Sequence, residues 1–180
     1  MESTRGKLLV ASPAIDDPNF HRSVVLIGHH DRDGALGVVI NRPAGTTLSE
    51  AAPPVAAMLG DEDEEMFIGG PVMSEAVVVV AEFEHSSDAA MVAFDTVGVL
   101  GVDTDPSDVE DRTRRHRAFA GHAGWSSGQL DAELDRDDWI VAPATADRVF
   151  SDDPTSLWAE ILRDLGGQYE LLARMPDDPS

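Results

Sequence analysis

The 180-residue chain contains no cysteine, a single lysine (Lys7) and no apolar run longer than the six residues 76–81. The absence of cysteine excludes disulfides, thiolate metal sites and thiol nucleophiles. A run of six apolar residues is far short of the roughly 18 that a membrane-spanning helix needs. The N-terminal segment has one short apolar run followed by acidic residues, which differs from a secretory signal peptide. The composition therefore predicts a cytoplasmic protein without a membrane segment.

Basic residues are scarce: 13 Lys and Arg stand against 34 Asp and Glu, and the formal net charge is −21. A chain with this charge repels nucleic-acid backbones and anionic membranes. The one basic cluster, residues 112–117, directly follows five acidic residues within 103–111, and the two segments nearly neutralise each other. We therefore predict no direct nucleic-acid or membrane binding, and expect the partner to be a protein or a small molecule.

Short runs rich in Val and Ile predict β-strands. They cover residues 6–12, 23–28, 35–40, 66–68, 75–83, 97–102, 116–120, 139–142 and 169–173. The polar segment 29–34 ends in Asp-Gly, a hairpin signal that pairs the second run with the third. Pro43 is expected to end that hairpin, because proline cannot extend a central strand.

Helix starts are predicted between these runs. Capping boxes pair Thr47 with Glu50, Ser107 with Glu110 and Ser126 with Gln129. An N-cap and a first-turn proline at 153–154 precede an apolar stripe over 157–165, which two glycines end. This order predicts an α+β fold: one compact domain over residues 1–180, with a mixed, mostly antiparallel sheet flanked by helices. The sequence does not determine whether the sheet closes into a barrel.

Residues 124–128, Gly-Trp-Ser-Ser-Gly, fit the G-x-S-x-G pattern of serine hydrolases. In the α/β-hydrolases the acid and the histidine follow the serine in the chain, whereas all six histidines here precede Ser126. The favoured interpretation is a helix start, with Ser126 as N-cap and Trp125 packing on Leu130 as a hydrophobic staple. The alternative is a small hydrolase in which Ser126 is the nucleophile and His122 or His30 the base.

Ligand contacts are predicted at two further places. Asn41 and Arg42, at a strand end, are suited to hold a carboxylate or phosphate through the Arg fork; a turn-capping Asn beside a solvated Arg is equally compatible. Gly69 or Gly70 can offer a backbone N–H to an anion, although a tight turn between two strands is the simpler interpretation. Gly121 and Trp125 complete the candidate set. Neighbouring histidines at 29 and 30 point to opposite faces of a strand, so no metal site is predicted, and no motif indicates a cofactor.

Several stretches resemble the bacterial YqgE/AlgH family. They are "GKLLVASPAIDDPNFHRSVVLIGHHDRDGALGVVINRPAG", "FIGGPV", "GHAGWSSGQLDAELDRDDWI" and the terminal "PDDPS". The resemblance implies a single cytoplasmic α/β domain with no agreed activity, often labelled a transcriptional regulator, and it transfers no catalytic residue. The family usually has tyrosine where this chain has His122, so a role for that hydroxyl does not carry over unchanged.

From these observations we expect a non-catalytic regulatory or binding domain that holds a protein partner or a small ligand near the glycine-rich turns. The hydrolase that uses Ser126 remains the competing hypothesis. A regulatory role through direct DNA binding has little support, because the net charge of the chain is strongly negative. The sequence does not indicate the oligomeric state.

Overall fold

In the computed structural model, residues 3–61, 63–101 and 103–175 are described. The strands are β1 (Lys7–Ala11), β2 (Val24–Asp31), β3 (Gly34–Val39), β4 (Pro43–Thr47), β5 (Glu65–Ile68), β6 (Val72–Phe83), β7 (Met91–Phe94), β8 (Val97–Val99), β9 (Thr113–Ser126) and β10 (Trp139–Pro143). The helices are α1 (Leu48–Ala51), α2 (Pro53–Leu59), α3 (Pro106–Arg112), α4 (Gln129–Asp135), α5 (Ala146–Val149), α6 (Leu157–Leu165) and α7 (Gln168–Ala173). No helix among these residues is long and apolar enough to cross a bilayer.

The strands form one ten-stranded sheet in the order β10-β1-β2-β3-β9-β6-β8-β7, with β4 and β5 beside this path. Every pairing is antiparallel except that of β5 with β9. The predicted α+β fold with a mixed, mostly antiparallel sheet is confirmed. Among the described residues the two ends of this order, β10 and β7, are not paired with each other, so the sheet is not a closed barrel.

Strand β9 is the centre of the sheet. Along one edge it pairs with β6; along the other, residues 118–120 pair with β5 and residues 123–126 with β3. Strands β5 and β6 therefore lie on opposite sides of β9, and the chain between them must cross it.

The crossing is made by three glycines. A Cβ on Gly69 would lie 2.3 Å from the Gly121 carbonyl oxygen, and a Cβ on Gly121 would lie 2.3 Å from that of Gly70. The predicted tight turn at Gly69–Gly70 is thus a close backbone crossing instead of a hairpin turn. Side chains are excluded there because two main chains come into contact.

Helices cover both faces of the part of the sheet formed by β10, β1, β2 and β3. One face packs against the apolar stripe of α6, which includes Trp158, Ile161 and Leu162, all buried. The other packs Trp125 and Trp139 against Leu130 of α4. Burial of a large side chain contributes about 1.5–3 kcal/mol to the free energy of unfolding, so these two layers hold the sheet in place.

Some local predictions were wrong. Residues 169–173, expected as a strand, form α7, because the helix resumes after Gly166 and Gly167 and its apolar residues pack on α6. Pro43 lies beyond the end of the β2–β3 hairpin, as predicted, and it begins β4, a strand that was not predicted and whose first position is compatible with proline. Strand β7 was not predicted at all. Helix α3 has Asp105 as its N-cap, not Ser107, whereas the predicted N-cap at Thr47 is confirmed, with its side chain accepting from the Glu50 N–H.

Candidate functional site

Ser126 is the exposed last residue of β9, and it is not the N-cap of α4. That position belongs to Gly128, because Ser126 is still paired with Gly34 in the sheet. One half of the predicted capping box is present: Gln129 Oε1 accepts from the Ser126 N–H at 3.0 Å and lies 3.2 Å from its hydroxyl. The Ser126 hydroxyl therefore has a local hydrogen-bonding role at the start of the helix.

The structure does not bring Ser126 together with either candidate base. His122 lies four residues earlier in the same strand, which separates the two by about 13 Å along β9. In the sheet, His30 is directly opposite Ala35, and Ala35 is directly opposite Trp125, so the side chains of these residues lie on the same face. Ser126 is the next residue after Trp125, and its side chain therefore lies on the other face. Within the described parts of the chain, Ser126 is not paired with a base.

His30 is buried, and both of its ring nitrogens face groups of the protein. Nδ1 accepts from the Thr4 N–H at 2.9 Å and lies 3.0 Å from the Thr4 hydroxyl. Nε2 lies 3.2 Å from Asp131 Oδ1, with poor geometry for a hydrogen bond. Because the main-chain donor occupies the lone pair of Nδ1, this ring holds the N-terminal segment in place.

Asn41 and Arg42 are both engaged by the backbone around them. Asn41 Oδ1 accepts from the Val24 N–H at 3.0 Å, and its Nδ2 donates to the Arg22 carbonyl at 3.0 Å. The Arg42 guanidinium donates to the carbonyls of Asn19 and His21. Burial lowers the pKa of Arg42, partly offset by Asp17. These contacts hold the loop before β2 against the end of β3.

Arg42 and Gly70 line the same small cleft, of about 260 Å³. Gly69 contributes no free donor to it, since its N–H donates to the Ala120 carbonyl at 2.8 Å. Gly121 lies in the crossing described above. The structure thus brings Arg42 and Gly70 together, while Asn41, Gly69 and Gly121 have structural contacts.

Trp125 is buried, and its indole N–H donates to Glu133 Oε1 at 3.1 Å. Trp139 donates to the same oxygen at 2.9 Å, and Gln129 donates to Oε2 at 3.1 Å. Glu133 was not selected from the sequence, where nothing distinguishes it among many acidic residues. It joins both tryptophans to α4.

The basic cluster is neutralised by neighbouring acids. Arg114 makes a two-point contact with Glu84, and Arg115 contacts Glu82 and Asp147. The guanidinium of Arg117 stacks over Phe67 at 4.5 Å from the ring centre, and its pKa is lowered by burial. Because of these contacts, the arginines of residues 112–117 do not form a continuous, unpaired basic surface.

A different cleft, of about 260 Å³, lies on the sheet where β7 approaches β2. Its walls are apolar side chains and three glycines, including Leu26, Leu36, Val78, Val80, Met91 and Val99, and Gly28, Gly37 and Gly98. Among the described residues that line it, His122 alone has a polar side chain. Leu36 and Met91 are about half exposed at its mouth, so the cleft is open to solvent.

The half-buried imidazole of His122 has no hydrogen-bond or ion-pair partner among the described residues. It lies between β3 and β6, beside the point where Gly70 crosses β9. An apolar cleft with one unpartnered imidazole fits an apolar molecule that carries one hydrogen-bonding group. The lining contains no Asp, Glu, Lys or Arg side chain, so burial of a charged ligand there would be costly.

In residues 3–61, 63–101 and 103–175, no group of three or more His, Asp or Glu side chains is placed to hold a metal ion.

Comparisons with known proteins give a consistent result. A family model described as AlgH-like matches residues 8–170. A "UPF0301 protein" from Thermobifida fusca is 41% identical over 99% of this chain and 95% of its own length. One from Streptomyces avermitilis is 38% identical over 100% and 96%.

Two solved structures resemble the whole chain. A crystal structure of a Corynebacterium diphtheriae protein has a TM-score of 0.85 and 28% identity, and covers 97% of this chain and 94% of its own. The solution structure of the AlgH protein from Pseudomonas aeruginosa has a TM-score of 0.72 and 25% identity, and covers 99% and 100%.

Proposed function

The chain belongs to the AlgH-like family, and we propose that it is a non-catalytic binding domain for a small, uncharged and largely apolar ligand. The ligand site is the cleft lined by residues of β2, β3, β6, β7, β8 and β9. The single observation that carries the proposal is the His122 imidazole, which has no protein partner among the described residues and faces an otherwise apolar lining.

The size of the cleft limits the ligand. An engineered protein cavity of about 150 Å³ holds benzene. The present cleft of about 260 Å³ therefore suits a molecule of roughly ten heavy atoms. Its apolar body would contact the valine and leucine walls, and its one hydroxyl or carbonyl would reach His122. A neutral imidazole can either donate to or accept from such a group.

The separation of Ser126 from both candidate bases supports a binding role over hydrolysis. The ligand-dependent role we propose is regulatory, through a protein partner. The net charge of −21 and the paired arginines in 112–117 favour a partner other than nucleic acid. We place this role in the cytoplasm, consistent with a cysteine-free chain.

The proposal is tested with three compounds that differ in one substituent: propylbenzene, 4-propylphenol and 4-propylbenzoate. Binding is measured by calorimetry and located by NMR shifts of amides around the cleft. We expect 4-propylphenol to bind most tightly and 4-propylbenzoate least, because the lining has no Lys or Arg side chain to pair with a carboxylate. Substitution His122→Leu should weaken 4-propylphenol about fivefold, the value of one hydrogen bond, and leave propylbenzene unchanged.

His85→Leu, at an exposed histidine outside the cleft, is the matched control and should change neither affinity. Saturable binding that shifts no amide of the cleft, or the lack of saturable binding of all three compounds, contradicts the proposal.

A further inference from the structure

A second cavity, of about 1160 Å³, shares no lining residue with the His122 cleft and follows the outer edge of β10. Strand β10 is the last strand of the sheet, and within the described parts of the chain it pairs on one side only, with β1. Helix α4 borders the cavity on one face of the sheet, through Leu134 and Asp135, and helix α7 borders it on the other, through Tyr169 and Leu172. The result is a groove with a strand edge as its floor and a helix on each side.

The hydrogen-bonding direction of β10 follows from its register with β1. The Ser12 N–H donates to the Asp138 carbonyl at 2.9 Å, whereas the Ala11 N–H donates away from β10, to the Ser23 carbonyl of the segment before β2. In an antiparallel pair of strands, every second residue exchanges main-chain hydrogen bonds with its partner. Counting from Asp138, the residues of β10 that bond to β1 are Ile140 and Ala142. The N–H and C=O groups of Trp139 and Val141 must then point outward, into the groove.

No other strand of the described residues pairs with this edge. The next outward carbonyl, that of Pro143, accepts from Arg148 at 2.8 Å, which ends the open part of the edge. Exposed edges of this kind bind extended peptides by adding a strand to the sheet. Trp139 and Val141 together can offer such a peptide two donors and two acceptors.

The charge of the walls indicates what sequence the added strand would have. Asp131 and Asp135 lie one turn apart on α4, and Asp137 follows the helix; all three line the groove. Lys7 is the only basic residue among the described residues of the lining. A segment with lysine or arginine side chains is therefore favoured, and an acidic segment is repelled.

We propose that β10 binds an extended, basic segment of a partner protein as an additional strand of the sheet. A second copy of this chain is a poorer occupant, because it would bring two such acidic grooves and two net charges of −21 together. The inference is independent of the His122 cleft, since the two cavities share no residue.

The test uses a synthetic seven-residue peptide that alternates lysine with valine, and its counterpart with glutamate in place of lysine. The full chain is titrated with each peptide by fluorescence anisotropy, and amide hydrogen exchange is followed by NMR. We expect the basic peptide to bind, with affinity falling as salt is added, and to slow exchange at the amides of Trp139 and Val141. The acidic peptide should not bind.

Two variants locate the interaction. Val141→Pro removes one outward N–H without removing a bond to β1, and should weaken the basic peptide at least fivefold. Val141→Thr keeps the N–H and should bind as the natural chain does. Asp135→Asn should weaken binding severalfold and reduce its salt dependence. Melting curves of each variant identify any that fail to fold, and the exchange measurement on the natural chain does not depend on them.

Basic-peptide binding without protection of Trp139 and Val141, or equal binding by Val141→Pro and the natural chain, overturns the proposal. So does sedimentation that detects a dimer which Val141→Pro abolishes, because the edge would then serve self-association.

Discussion

The main-chain N–H of Thr4 donates to Nδ1 of His30 over 2.9 Å, between a segment that precedes the first strand and the buried end of β2. To accept this bond the neutral ring must carry its proton on Nε2, the atom that faces Asp131. A histidine that was a candidate base in the sequence therefore connects the N-terminal segment to β2. Its function in the fold is to keep residues 3–6 against the sheet.

Replacing this ring should be costly. His30→Ala leaves the buried Thr4 N–H without an acceptor and creates a cavity, so we expect a loss of about 2–4 kcal/mol in the free energy of unfolding. His29→Ala, at the exposed neighbour, should change it by less than about 0.5 kcal/mol. Urea unfolding of both variants measures the difference. Equal effects would show that the buried contact adds no stability.

The glycine crossing allows a second prediction with a matched control. Gly121 and Gly45 have similar positive φ angles, +76° and +81°, but of the two only Gly121 has backbone atoms within 4 Å of the position that a Cβ would occupy. Gly45→Ala should therefore cost only the conformational penalty, about 1–2 kcal/mol.

Gly121→Ala adds a backbone clash with the Gly70 carbonyl, and we expect a loss larger by at least about 2 kcal/mol, or failure to fold. Thermal melting of the two variants compares them directly. If both melt at the same temperature, the crossing tolerates a side chain and its glycines need another explanation.

Glu133 is expected to stabilise the packing of the two tryptophans. Glu133→Leu removes the acceptor of both indole N–H groups, and each unsatisfied buried donor costs about 1–3 kcal/mol. The melting temperature should fall by roughly 5–15 °C, since about 1 kcal/mol corresponds to 2–4 °C in a domain of this size. Glu160→Leu, at an exposed position of α6, is the control. An unchanged melting temperature for Glu133→Leu would contradict this role.

The contact between Arg114 and Glu84 predicts a pH effect with a defined sign. Hydrogen bonds from Arg114 lower the pKa of Glu84. Because the pKa in the folded state is depressed, the stabilisation is present above the ordinary pKa of a glutamate and is lost as the pH falls through the lowered value. Arg114→Gln should raise the pKa of Glu84 to its ordinary range. The free energy of unfolding should then depend less on pH over the range in which Glu84 titrates in the natural chain.

NMR titration of the Glu84 carboxyl carbon in both proteins measures this change, with Arg174→Gln, which lies in a separate ion pair with Glu170, as the control. Since both side chains are exposed, the effect on overall stability should be small. A Glu84 titration that Arg114→Gln leaves unchanged would contradict the assignment of the cause.

Local sequence patterns were sufficient to predict most of the strands and helices, but they predicted little of the candidate site. The Val-rich runs identified β1, β2, β3 and β6, because alternating or continuous burial in a strand requires apolar residues at successive positions. The stripe of α6 was equally clear. The pattern at 169–173 was misleading: its short run suits a strand or a helix, and packing on α6 decides for the helix.

The site depended on which residues meet across the sheet. The sequence by itself determined the absence of thiol chemistry, the acidic surface and the existence of the main strands and helices, because composition and short-range periodicity act within a few residues. Only the tertiary structure decided that His122 faces an apolar cleft, that His30 and Ser126 lie on opposite faces, and that no second strand of the described residues pairs with β10. Each of these depends on strand register and order, which are set by contacts between residues far apart in the chain.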